Sequence, residues 1–115
     1  MIENIGVQDI FPTPIWTVDL KPEFAAALNA RLLTEILAMA EPRPPLPAGA
    51  NWQTDPILHK LPQFAEIVQL VERAGRGATE YLKLKARDVA VTGCWANINP
   101  PGGRNSSHTH PNNFL

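Results

Sequence analysis

Hydrophobic residues recur at four-residue steps through Phe24, Leu28, Leu32 and Ile36, flanked by Ala25, Leu33, Leu37 and Ala40. That spacing lays an apolar stripe along one side of a helix and predicts an amphipathic helix running to about residue 40. Its start is marked by Lys21-Pro22-Glu23. Proline fits a first turn that needs no amide donor, and the Glu23 carboxylate complements the positive end of the helix dipole. A second helical pattern begins near Pro62 and carries Phe64, Ile67, Val68, Val71 and Ala74 on one face. Gly75 and Gly77 weaken it and leave open whether it reaches Tyr81-Leu82.

Two other stretches read as extended. Phe11 to Leu20 is rich in β-branched and aromatic residues but interrupted by Pro12 and Pro14, which cannot donate to a ladder; it predicts an edge strand over about 10–18. Val89 to Asn99 alternates with Val89, Val91, Gly93, Trp95, Asn97 and Asn99 on one face, and Ala90, Thr92, Cys94, Ala96 and Ile98 on the other. Pro100-Pro101-Gly102-Gly103 forces a turn, and Arg104 to Leu115 reads as a returning strand. Between the helices, the prolines of Glu41–Gly49 lack donors and clash with a preceding turn, so the segment reads as a stiff connector rather than a proline-motif ligand. The expected layout is one α+β domain over residues 1–115, with helices within about 20–85 and strands over about 10–18 and 88–115. So few strands cannot close on themselves, and the pattern ends on a strand that has just begun.

The 115 residues, 44% of them hydrophobic, suit one domain with a core. A formal charge of −1 offers no basic footprint for nucleic acid or an anionic membrane. No basic leader followed by an apolar run opens the chain, and no stretch approaches the roughly 20 apolar residues of a membrane span. Cys94 is the single cysteine. It has no internal partner and, lacking an evident base beside it, reads as an apolar filler. The expectation is a soluble, cytoplasmic protein.

Candidate chemistry gathers near the end. On an extended strand, residues two apart face the same way, so His108 and His110 can present both imidazoles to one metal ion. Neutral imidazole suits zinc, iron, nickel and copper alike, so the pair alone does not choose a metal. The plain alternative is an exposed polar loop, Asn105 to Asn113, that happens to carry two histidines. Asn97 and Asn99 share the face of Trp95 and are candidates to line a pocket with amides, and Arg104 lies near enough to meet an anion. His59, in Leu58-His59-Lys60, reads as a surface residue.

The run Trp95-x-Asn-Ile-Asn-x-x-Gly-Gly-x-Asn-x-x-His-x-His-Pro111 resembles a family of uncharacterised iron(II)/2-oxoglutarate-dependent oxygenases. The Phe11-Pro-Thr-Pro-Ile15 and Trp52-Gln53-Thr54 segments are similar to that family's N-terminal pattern. The resemblance implies helices packed on a double-stranded β-helix, or jelly-roll barrel, with Fe(II) as the metal and 2-oxoglutarate as a small-molecule co-substrate of a hydroxylation. His108 matches the first iron ligand. His110 stands where an acidic ligand is usual, a departure from the common His-x-Asp/Glu pair. Asn97, Asn99 and Arg104 become candidates for the co-substrate, and Trp95 for the substrate. In such a fold the distal histidine and the basic residue gripping 2-oxoglutarate lie beyond Leu115, so the expectation is an N-terminal portion that does not turn over alone. Two other readings stay open: a non-catalytic jelly-roll or cupin binding module, and a three-histidine metalloenzyme that does not use 2-oxoglutarate. An exposed edge near residues 89–99 leaves a homodimer open as a partner.

Overall fold

The computed structural model describes residues 1, 5–6, 8, 10–85 and 88–111. Its architecture is α+β: two helices, α1 (Pro22–Met39) and α2 (Ala65–Tyr81), and a small antiparallel sheet of β1 (Trp52–Gln53) and β2 (Asn97–Ile98). The register pairs Trp52 with Ile98 and Gln53 with Asn97. Two single-turn 3-10 helices, Leu58–Lys60 and Pro62–Phe64, connect β1 to α2. No jelly-roll barrel forms among the described residues.

α1 begins and ends where its sequence signals lie. Pro22 occupies the first turn, and the Ala25 amide closes onto the Lys21 carbonyl at 2.9 Å. The helix stops before Pro42, where a further turn would lack a donor. Leu28 is 3% exposed at the centre of the stripe, with Ala25, Leu32 and Ile36 half-buried beside it. Leu33 and Leu37 stay exposed.

α2 continues through Gly75 and Gly77 to Tyr81. Gly75 is buried, and Ala78 and Thr79 are 3% and 4% exposed, so a small residue here serves packing instead of breaking the helix. The helix ends in a Schellman arrangement: the Leu84 amide donates to the Thr79 carbonyl at 3.0 Å and the Lys83 amide to Glu80 at 3.0 Å. Lys83 takes the left-handed conformation, φ 54°, that glycine normally supplies.

Leu58 and Phe64, each 2% exposed, form a knot: their two 3-10 turns pack on each other and on α2, and the turn of Phe64 also meets α1. Outside it, burial is thin. Val71, central to the apolar stripe of α2, is 51% exposed. The radius of gyration is 19.5 Å, against about 13 Å for a compact chain of this length.

Two strand expectations need correction. Residues 10–18 form no strand; Pro12 and Pro14 remove ladder donors, and Trp16 instead packs edge-on against Tyr81 with ring centroids 5.5 Å apart. Nor is 89–99 one continuous strand with two constant faces. Val89 and Val91 turn inward, whereas from Cys94 onward it is Cys94, Ala96 and Ile98 that do so. The phase changes because two different partners hold the segment. The Val91 amide donates to the Glu72 carboxylate of α2 at 3.1 Å. Cys94, Ala96 and Ile98 belong instead to the ladder with residues 52–58, where Leu58 donates to the Cys94 carbonyl at 3.0 Å.

Candidate metal centre

After β2, Pro100 to Gly103 makes a turn closed by the Gly103 amide on the Pro100 carbonyl at 2.8 Å. Proline at the second position and Gly102 at φ 84° at the third are the type II signature. Gly103 is needed for a different reason: a side chain there would meet the Pro100 and Ala50 carbonyl oxygens at 3.0 and 3.2 Å. That close approach lets the Arg104 amide donate to the Gly49 carbonyl at 3.0 Å. Asn51 then clamps the loop, its side-chain amide donating to the Arg104 carbonyl at 3.2 Å and to the Asn105 side-chain oxygen.

Residues 104–110 therefore leave the turn as an exposed loop, and the returning strand does not form over them. The part of that expected strand at 112–115 lies outside the described residues. The two imidazoles still come together, by loop folding instead of strand pleating. His108 Nδ1 lies 2.8 Å from the Ser106 carbonyl oxygen, which only accepts, so Nδ1 carries the proton and Nε2 has a free lone pair. His110 Nε2 sits 2.9 Å from that lone pair and donates to it. The ring centroids are 4.8 Å apart and tilted by 51°. The indole of Trp95 stacks on His110 with centroids 5.9 Å apart and planes within 12°.

The two Nε2 atoms lie near enough to become neighbouring ligands of one ion if the hydrogen bond between them is given up. Metal–imidazole bonds of about 2.1 Å at right angles separate two nitrogens by about 3.0 Å; a tetrahedral angle separates them by about 3.4 Å. The observed 2.9 Å is the length of the N–H···N hydrogen bond itself, in which the two nitrogens point at each other, so an ion is shared only when the His110 proton has left Nε2 and both lone pairs are turned to a common point. Anchoring the far nitrogen of a ligand histidine on a carbonyl is the usual outer-shell device, and His108 has it. Loading would move the His110 proton to its Nδ1. Among the described residues, no third histidine, cysteine or carboxylate joins the pair.

The other candidates are placed as follows. Asn97 and Asn99 are exposed on the same side as Trp95. Arg104 is bound through its backbone, while its side chain is exposed and makes no ion pair among the described residues. Trp95 lies parallel to His110 in an offset stack and is 38% exposed. Cys94 is half-buried in the ladder, and burial pushes its thiol above its ordinary pKa, so it stays protonated and inert. His59 is half-buried rather than on the surface, and its Nδ1 is enclosed without a partner. Sequence reasoning did not find Ser106 or Asn51; only the polar, turn-forming composition around Asn105-Ser106 hinted at side-chain clamping. An open groove of about 480 Å³ between α1 and α2 is lined by Arg31, Gln63, Glu66 and Gln69, none of them part of this cluster.

Comparison with protein-family models, curated proteins and solved structures finds no match. No helix among the described residues is long and apolar enough to cross a membrane. The site must be read from its own geometry.

Proposed function

We propose that the chain carries the metal-binding part of an iron(II)/2-oxoglutarate-dependent oxygenase-like domain, a jelly-roll barrel preceded by helices, with His108 and His110 as ligands. The observation that carries the reading is that the two histidine Nε2 atoms lie side by side, with the far nitrogen of His108 held by Ser106. Bound iron(II) supplies the oxidative chemistry that couples O2 and 2-oxoglutarate to hydroxylation. The chain's own residues orient and charge-match. The Arg104 guanidinium offers an exposed positive charge to a carboxylate, and Asn97 and Asn99 present amides on the side where Trp95 meets His110. Two neutral imidazoles leave the ion its full positive charge, which favours a dianionic co-substrate over a neutral one.

One observation favours a second reading, a metal-binding module without turnover: no third ligand joins the pair among the described residues. Anaerobic addition of Fe(II) and then 2-oxoglutarate separates the two. The oxygenase reading expects a weak visible absorption that needs both components, and succinate once air is admitted. Fe(II) binding that ignores 2-oxoglutarate and yields no succinate would establish the binding module instead. Unchanged Fe(II) binding in His108→Ala and His110→Ala would defeat both.

A further inference from the structure

His108 and His110 are held by different means, and the difference assigns a role to Trp95. His108 has a hydrogen-bond anchor on its far nitrogen. His110 has no anchor of that kind; among the described residues its ring meets His108 through Nε2 and the Trp95 indole across its face. Trp95 is itself fixed: it lies between Cys94 and Ala96, whose backbones pair with residues 54–58. A Cβ at Gly93 would lie 3.9 Å from the indole, an ordinary van der Waals contact, so the ring also packs against the backbone two residues before it.

We infer that Trp95 is a positioning residue for the metal pair, holding the His110 ring plane so that Nε2 stays beside that of His108. The inference rests on His108 and His110 being ligands. Near-parallel planes at 12° suit this task, because a stacked ring restricts tilting while leaving both imidazole nitrogens free for a proton and a metal. A hydrogen bond to Nδ1 would fix the tautomer as well; stacking leaves the proton able to move from Nε2 to Nδ1 when a metal arrives.

Co(II) is the probe, since it is paramagnetic, absorbs in the visible and quenches a nearby indole. In the intact protein, Co(II) is expected to quench part of the tryptophan fluorescence. Trp95→Ala should weaken Co(II) binding by about tenfold or more, the usual penalty for losing a ligand's outer-shell support. Trp95→Phe, which keeps a stacking ring, should return affinity to within about threefold of the parent while abolishing the quenching. Trp52→Phe should leave affinity and quenching as they were. Parent-like affinity in Trp95→Ala, or full quenching in Trp95→Phe, overturns the positioning role with the metal pair intact. Unchanged Co(II) binding in His110→Ala removes the pair and this inference together. If Trp95→Ala does not fold, the rescue and quenching readouts of Trp95→Phe decide alone.

Discussion

The knot around Leu58 and Phe64 and the arm carrying His108 and His110 are held by opposite means. In the knot, two large side chains at 2% exposure sit where both 3-10 turns, α1 and α2 meet. Apolar burial does the holding there, and each removed methylene is felt. In the arm, every residue from Arg104 to His110 is exposed. Position comes instead from a backbone hydrogen bond to Gly49, the side-chain amide of Asn51, a carbonyl anchor and one aromatic stack. Stability is therefore concentrated away from the candidate chemistry. Regions with little apolar burial open most readily, and binding sites are commonly drawn from them.

The largest expected effect breaks the first half of this contrast. Phe64→Ala removes an almost fully enclosed aromatic ring that joins α1, α2 and the 3-10 turns. The expected loss is about 3–5 kcal/mol, read as a fall in the denaturant midpoint. A chain with so little other burial has little reserve against it. A loss below about 1 kcal/mol would mean that the knot is not where stability resides.

Much of this arrangement was legible from residue pattern, and the failures have physical causes. α1 was readable because Pro22, Glu23 and the four-residue steps all agree. α2 was readable in type but not in length. Buried Gly75 looked like a breaker, and the stop is made by Lys83 in a conformation that its residue type does not advertise. The edge strand at 10–18 failed because propensity without donors cannot make a ladder. The alternation of 89–99 was real locally, but nothing in a period-two count reveals that Glu72 would hold one half and Thr54 the other. The nearness of His108 and His110 was legible, though for the wrong reason: a clamped loop brings them together. The jelly-roll expectation has no counterpart among the described residues, and the small sheet supports only the α+β class.

Thr54 sharpens the comparison because it couples the two regions. Its backbone amide donates to the Ala96 carbonyl at 3.0 Å, and its hydroxyl oxygen accepts from the Ala96 amide at 3.0 Å. The side chain thus replaces a missing ladder acceptor beside Trp95. Thr54→Val keeps the shape but leaves the Ala96 N–H without its partner, at a cost of about 1–2 kcal/mol. Because the segment that carries Trp95 loosens, Co(II) affinity should fall by a few-fold in the same variant, unlike in surface substitutions of α1. Loss of stability with unchanged affinity would show that the arm is organised independently of the ladder.

The smallest effect is a gain, and it lies at neither region. Lys83 sits at φ 54°, where a Cβ crowds its own backbone, and it does so to complete the cap that satisfies the Thr79 and Glu80 carbonyls. Glycine adopts that conformation without the crowding, although it also gives the unfolded chain more freedom to lose. The first term is the larger at a left-handed site, so Lys83→Gly should raise stability by about 0.5–1 kcal/mol. Thermal melting checks the sign, and Lys83→Ala supplies the control: it keeps the Cβ and should gain nothing. The end of α2 contacts neither His108 nor His110 in the cap, so Co(II) binding should be unchanged. Stability and site geometry would then move separately, as the division between knot and arm requires.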